Sequence, residues 1–223
     1  DDPSVRFVLS QGARASCLES LRGREADIAL VSRLDPAPEG LRVVPLFEQR
    51  LVLLVPAGHP AAGVSPEVEA AGRPRGSGLS EDSAFPALPG AAGSPGRPEA
   101  AARQALAAVS VAALADEPLV TLKVGYGLRG SVDELFADAG VSPSIAFEGE
   151  DLHTLTGLVA AGLGVAIAPQ SATTPAGCVQ VPLSDAGARR DIGAAMLPGS
   201  PTEVVQAVLD VLRSLTGAGR QAR

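Results

Sequence analysis

Five short, nearly uninterrupted apolar runs constrain this chain more than any other feature. Residues 5–10 (VRFVLS), 27–31 (DIALV), 50–56 (RLVLLVP), 118–122 (PLVTL) and 164–168 (GVAIA) are each of strand length, and helical stretches lie between them. Runs that do not alternate with polar residues belong to strands covered on both faces. That is the arrangement of an α/β sheet with crossover helices, not of a sheet with one face in water. Aromatic residues make up only 3% of the chain and Trp is absent, so the cores are built from Val, Leu, Ile and Ala. All of the runs are far too short to span a bilayer, and no membrane partner is expected.

Shorter runs at 41–45, 144–147, 179–182 and 192–197 add further strands. Helices are expected over 16–22, stopped by Gly23, and over 152–161, N-capped by Asp151 and ended by Gly162. Ser131 and Glu134 form an S-x-x-E capping box that predicts a helix from Val132 to just before Gly140. A second box, Ser200 and Glu203 with Pro201 at the first helical position, predicts a C-terminal helix. Its buried face is Val204, Val205, Val208, Leu209, Leu212 and Leu215. Between the halves, residues 64–98 contain 6 Gly and 6 Pro, too little apolar surface to offset the entropy of ordering. Together with the Ala-rich stretch 99–108, expected as a loose helix, they read as a flexible insertion over 64–108.

Charge and reactive residues exclude more than they include. The net charge of −7 opposes a nucleic-acid interface on this segment. The tight basic pairs Arg22/Arg24 and Arg189/Arg190 read as solvated surface. Cys17 and Cys178 are far apart in sequence and belong to no metal or disulfide pattern, which fits a reducing compartment. His59 and His153 have no nucleophile signature beside them and are assigned structural roles. Glu148, Glu150 and Asp151 have the chemistry of a general base or a metal site, but capping by Asp151 with solvated glutamates is the plainer reading. Residues 125–130 (GYGLRG) match the dinucleotide G-x-G-x-x-G pattern between a strand and a helix, so a nicotinamide-dependent oxidoreductase stands as one alternative. A glycine-rich loop opening a helix also suits a carboxylate held by backbone N–H groups.

In order along the chain, LRGREADIALV, EGLRVVPLFEQRLVLLVPAGHPAAG, VSVAALADEPLVTL, FADAGVSPSIAFE and LVAAGLGVAIAP resemble the effector-binding domain of LysR-type transcriptional regulators. The resemblance runs from about Val5 to Leu215 and skips only the insertion. It implies a fold similar to type II periplasmic binding proteins: two Rossmann-like α/β lobes joined by two crossing strands, with a small-molecule effector in the cleft. Lobe I would be residues 1–54 and 192–223, and lobe II residues 55–191. A free solute-binding protein of the same fold is a second alternative.

The positions matching the family's effector site are Ser32 and Arg33 on lobe I. On lobe II they are Thr121, Lys123, Gly125, Tyr126, Arg129, Glu150 and Asp151. Hydroxyls, backbone N–H groups and Arg129 would suit a small carboxylate. The resemblance implies no catalytic residue, metal or cofactor, a cytoplasmic bacterial protein, a homo-oligomer in the full-length protein, and DNA contact only through an N-terminal winged helix-turn-helix preceding Asp1. It also implies an opening strand and helix before Val5, that strand lying between residues 5–10 and 27–31.

Overall fold

The computed structural model describes residues 6–34, 36–63, 107–199 and 201–217, with side chains through residue 214. Residues 64–106 of the expected insertion, with most of its Ala-rich helix, lie outside the described residues, as do Val5, Ser200 and the side chain of Leu215. The elements are α1 (Arg14–Arg22), β1 (Ala29–Ser32), β2 (Arg42–Pro56), β3 (Pro118–Leu122), α2 (Gly127–Asp138), β4 (Ser144–Gly149), α3 (Leu152–Ala160), β5 (Ala166–Pro169), β6 (Cys178–Pro182), β7 (Arg189–Met196) and α4 (Glu203–Gly217).

Strand β2 belongs to two sheets. From Arg42 to Arg50 it pairs antiparallel with β7, which in turn pairs with β1, giving the order β1-β7-β2. From Leu51 onward it leaves β7 and lies between β5 and β6. Parallel β3 and β4 extend that second sheet, because Val120 N–H donates to Val165 O (2.8 Å) and Val165 N–H to Pro118 O (2.9 Å) beside β5. The runs expected as separate strands at 41–45 and 50–56 are therefore one strand. The polar residues between them keep the ladder through Phe47–Ile192, Glu48–Asp191 and Gln49–Arg190, and a bulge at Leu46 takes up the change of register.

Both sheets are buried in their centres, as the unbroken apolar runs require, whereas β4 at the edge of the second is exposed along nearly its whole length. In the first, Ala195 packs with Leu18, Leu21 and Val31 under α1, while Ala194 and Met196 pack with Val44 and Leu209 of α4. Successive β7 residues thus serve opposite layers. The second sheet holds the larger core. Leu53, Val55, Val120, Val159 and Val181 are fully buried there, with Phe136 and Leu155 from the helices. Burying side chains of this size stabilises by about 1.5–3 kcal/mol each. The two lobes are these two sheets with their helices.

Two expectations at the chain's start and end fail for physical reasons. VRFVLS is not a strand over residues 6–10, and Phe7, Val8 and Leu9 are exposed. Among the described residues no neighbour offers it a ladder, and β1 pairs on one edge only, with β7. A β-branched run without a partner gains nothing from extension. At the C-terminal helix the expected Ser200 box lies outside the described residues, Thr202 Oγ1 accepts the Val205 N–H, and Val204, expected on the buried face, is exposed. Asp151 does cap α3, accepting the Thr154 N–H and its hydroxyl at 2.8 Å each, and these bonds hold its carboxyl below the usual range.

The junction of β3 and β5 depends on Gly164. Its φ is +151°, and a Cβ there would lie 2.2 Å from Pro118 O. Gly164→Ala is expected to cost about 2–4 kcal/mol, combining a disfavoured backbone with a clash against a carbonyl that cannot move without breaking the bond to Val165. Urea denaturation checks this: the midpoint should fall with an unchanged slope.

Candidate functional site

The lobes meet at the N-terminal ends of two helices. The Arg14 N–H at the start of α1 donates to Gly125 O (2.9 Å) on the other lobe. Gly127, the first residue of α2, lies so close to β1 that an added Cβ would sit 2.4 Å from Ser32 Oγ. Arg33 takes a left-handed backbone (φ +59°), its side chain passes beside Gly130, and it pairs with Glu134 at 2.7 Å. Beside these contacts is a cleft of about 370 Å³, lined from one lobe by residues including Gln11, Arg14, Cys17, Ser32, Gln49 and Arg190, and from the other by Leu122, Tyr126, Gly127, Leu128 and Leu152.

The glycine motif thus has a different use from dinucleotide binding. Helix α2 begins at Gly127, five residues ahead of the expected start at Val132, with Tyr126 at the N-cap and no side-chain cap. Ser131 is buried inside the helix, its hydroxyl donating to Gly127 O, and Glu134 reaches Arg33 across the lobe boundary instead of closing a capping box. The absent Cβ atoms at 127 and 130 let α2 approach the end of β1. A tertiary contact, not a local cap, sets the helix start.

The residues expected at the site divide into two groups. Ser32 and Tyr126 line the cleft, and Gly125 sits at its edge with a left-handed φ of +96°. Thr121, Lys123, Arg33, Arg129, Glu150 and Asp151 are not among its lining residues. Lys123 and Glu150 pair with each other at 2.7 Å in solvent, and that bond raises the lysine pKa. Thr121 is buried within β3.

Arg129 is buried and fully engaged. It donates to Asp133 Oδ1 (2.7 Å), Leu122 O (3.0 Å) and Glu148. Burial opposes its charge, but the two carboxylates outweigh that and hold its pKa above the ordinary value. Its charge is spent inside lobe II.

Four polar residues of the cleft were not marked by the sequence: Gln11, Arg14, Gln49 and Arg190. Arg14 donates Nε–H to Ser32 O (3.2 Å) and Nη2–H to Arg33 O (3.1 Å), so a cation covers the end of β1. Arg190 donates Nε–H and Nη2–H to Gln49 Oε1 at 2.9 and 2.8 Å. Burial pushes its pKa below the ordinary value, and among the described residues no carboxylate pairs with it. Among the described residues no acid lines the cleft, and its two arginines leave the lining positively charged although the chain is acidic overall. No group of three or more His, Cys, Asp or Glu able to hold a metal exists among the described residues.

The two glycines give a discriminating prediction. Gly127→Ala is expected to destabilise by about 1–3 kcal/mol, since its Cβ meets Ser32 on a buried strand end. Gly130→Ala meets only the Arg33 guanidinium at 2.8 Å, the far end of a flexible side chain, and should stay within about 0.5 kcal/mol of wild type. Paired thermal melts of the two variants check the contrast.

Comparison with known proteins fits this geometry. The family model described as the LysR substrate binding domain matches residues 1–74 and 70–216. Transcriptional dual regulator GltC of Bacillus subtilis (strain 168) is 27% identical over 86% of this chain and 51% of its own length. OxyR, the DNA-binding transcriptional dual regulator of Escherichia coli (strain K12), is 36% identical over 42% of this chain and 32% of its own. The chain spans about half, or less, of the curated relatives it matches. Among solved structures, the effector binding domain of QuiR in complex with shikimate superposes with a TM-score of 0.66 at 20% identity, covering 93% of this chain and 80% of that one. The BenM effector binding domain with its effector benzoate gives 0.66 at 18%, covering 99% and 83%. The family model spans nearly the whole chain, and the protein belongs to the LysR substrate-binding-domain family.

Proposed function

We propose that this chain is the effector-sensing part of a LysR-type DNA-binding transcriptional regulator, and that its cleft takes a small carboxylate-bearing molecule. The observation that carries this reading is the cleft itself. It lies between two lobes, has a volume of about 370 Å³, presents two arginines and is lined by no acid. Its size suits a small metabolite, and its charge suits an anion. Two fold neighbours are described with carboxylates, shikimate and benzoate. Ser32 and Tyr126 are proposed as contacts from opposite lobes, so one ligand touches both.

The mechanism is a shift of population. A ligand that bonds both lobes favours the relative orientation in which those bonds are best made. In the full-length oligomer that preference biases the placement of the DNA-binding domains, and no covalent step is involved. The lobes are proposed to divide near the expected boundaries, where β2 changes partner between Arg50 and Leu51 and the chain returns at Arg189. A cytoplasmic setting follows from the same function. No helix among the described residues is long and apolar enough to cross a membrane.

A melting screen of small organic acids tests the reading. Effectors should raise the melting temperature, and a Ser32→Ala/Tyr126→Ala double variant should bind them at least tenfold more weakly, the loss of at least one hydrogen bond to a charged group. Equal affinity in the double variant would remove the cleft from consideration.

A further inference from the structure

The two strands that join the lobes carry a pair of side chains whose hydrogen bonding is incomplete in an informative way. Gln49 on β2 and Arg190 on β7 are directly opposite in the ladder, one position from the point where β2 changes sheets. Both are half-buried and both line the cleft. Arg190 directs Nε–H and Nη2–H to the single oxygen Gln49 Oε1. That leaves Arg190 Nη1 and Gln49 Nε2, which meet no acceptor among the described residues. Among the described residues no buried side-chain donor or acceptor lacks a partner, so these two nitrogens are open to solvent rather than sealed in protein, on residues that line the cleft.

The contrast with Arg129 shows what is missing. Arg129 is bonded by two carboxylates, whereas Arg190 has one neutral amide oxygen and no acid within ion-pair distance among the described residues. A half-buried guanidinium of this kind is stabilised by an anion brought from outside. The guanidinium end turned away from Gln49, Nη1–H with the second N–H of Nη2, matches the two oxygens of one carboxylate.

We propose that Arg190, oriented by Gln49, is the counter-ion that recognises a monocarboxylate effector, and that the carboxylate sits on the crossing strands themselves. This deepens the effector reading above and rests on it. The second cleft arginine, Arg14, already serves two main-chain carbonyls and acts as a lesser contributor of field. Binding at Arg190 places charge recognition beside the partner exchange of β2. Ligand affinity is thereby coupled directly to the geometry by which the lobes move.

The test titrates the purified protein with acetate and benzoate, and with their neutral counterparts acetamide and benzamide, at constant ionic strength. Backbone amide resonances of Ser32 and Tyr126 report occupancy of the cleft. Wild type is expected to favour each acid over its amide by at least tenfold, Arg190→Gln to lose that preference and Arg190→Lys to keep part of it. Gln49→Glu supplies an internal carboxylate to Arg190. It should therefore weaken acid binding at least tenfold while melting no lower than wild type, which separates recognition from folding. Acids that occupy the cleft with undiminished affinity and preference in Arg190→Gln or Gln49→Glu overturn the assignment of Arg190 and leave the cleft reading intact. If neither acid moves Ser32 or Tyr126 in wild type, both proposals fall.

Discussion

The rest of the structure depends on β2 being shared. A strand that pairs with β7 in one sheet up to Arg50 and lies between β5 and β6 in another from Leu51 obliges the two lobes to sit end to end, with no freedom to separate. Among the described residues, only β2 and the entry into β7 cross between them, and Leu51 N–H donates to Ala188 O (2.9 Å) where they do. A continuous extended strand resists bending at its ladder bonds but twists readily. On the proposed reading, relative motion of the lobes is a twist about this crossing. The cleft lies beside that axis, so its walls change separation when the twist changes. The bulge at Leu46 sits on the first-lobe side of the crossing and adds to the local twist.

The second-lobe sheet was legible because its signals are local. PLVTL and GVAIA became β3 and β5 within two residues, and Asp151 capped α3 as its position before a polar-to-apolar change implies. Misreadings occurred where a distant contact outweighed a local preference. VRFVLS has strand propensity but no ladder among the described residues, and propensity without pairing does not make a strand. Ser131 and Glu134 have capping-box spacing, yet α2 starts earlier because the glycines allow it to press on Ser32. Polar Glu48 and Gln49 looked like a strand break and are instead the rungs that carry β2 into the crossing.

The site was half legible for the same reason. Ser32 and Tyr126 follow apolar runs, where side chains at strand ends reach a cleft. Arg14, Gln49 and Arg190 carry no local mark, and Arg190 in particular sits in an Arg-Arg pair that reads as surface. Its meaning depends on Gln49, 141 residues away. The family resemblance marks Arg129, but its own helix supplies Asp133 one turn on, and β4 supplies Glu148. Neutralised twice and buried, it gains little from a ligand's charge. What selects an anion-binding arginine is whether its charge remains unbalanced, a property of the folded neighbourhood that no spacing rule encodes.

On the proposed reading, magnitudes decide whether a small carboxylate suffices to reset the lobes. Moving a two-state equilibrium from 1:99 to 99:1 requires about 5.5 kcal/mol of differential affinity. One charge-assisted hydrogen bond contributes about 1.5–3 kcal/mol net, so two or three made in only one orientation reach that figure. A ligand held wholly within one lobe would make its bonds equally in both orientations and shift nothing, however tightly it bound. Ser32 and Tyr126 on opposite walls, with Arg190 at the axis between them, meet the geometric requirement. The ligand must be short enough for one end to reach the crossing strands while the other spans the lobes, and a cleft of about 370 Å³ enforces that limit. Size selection and signalling then arise from one constraint, because only a molecule that bridges the lobes from the axis outward can favour one twist over the other.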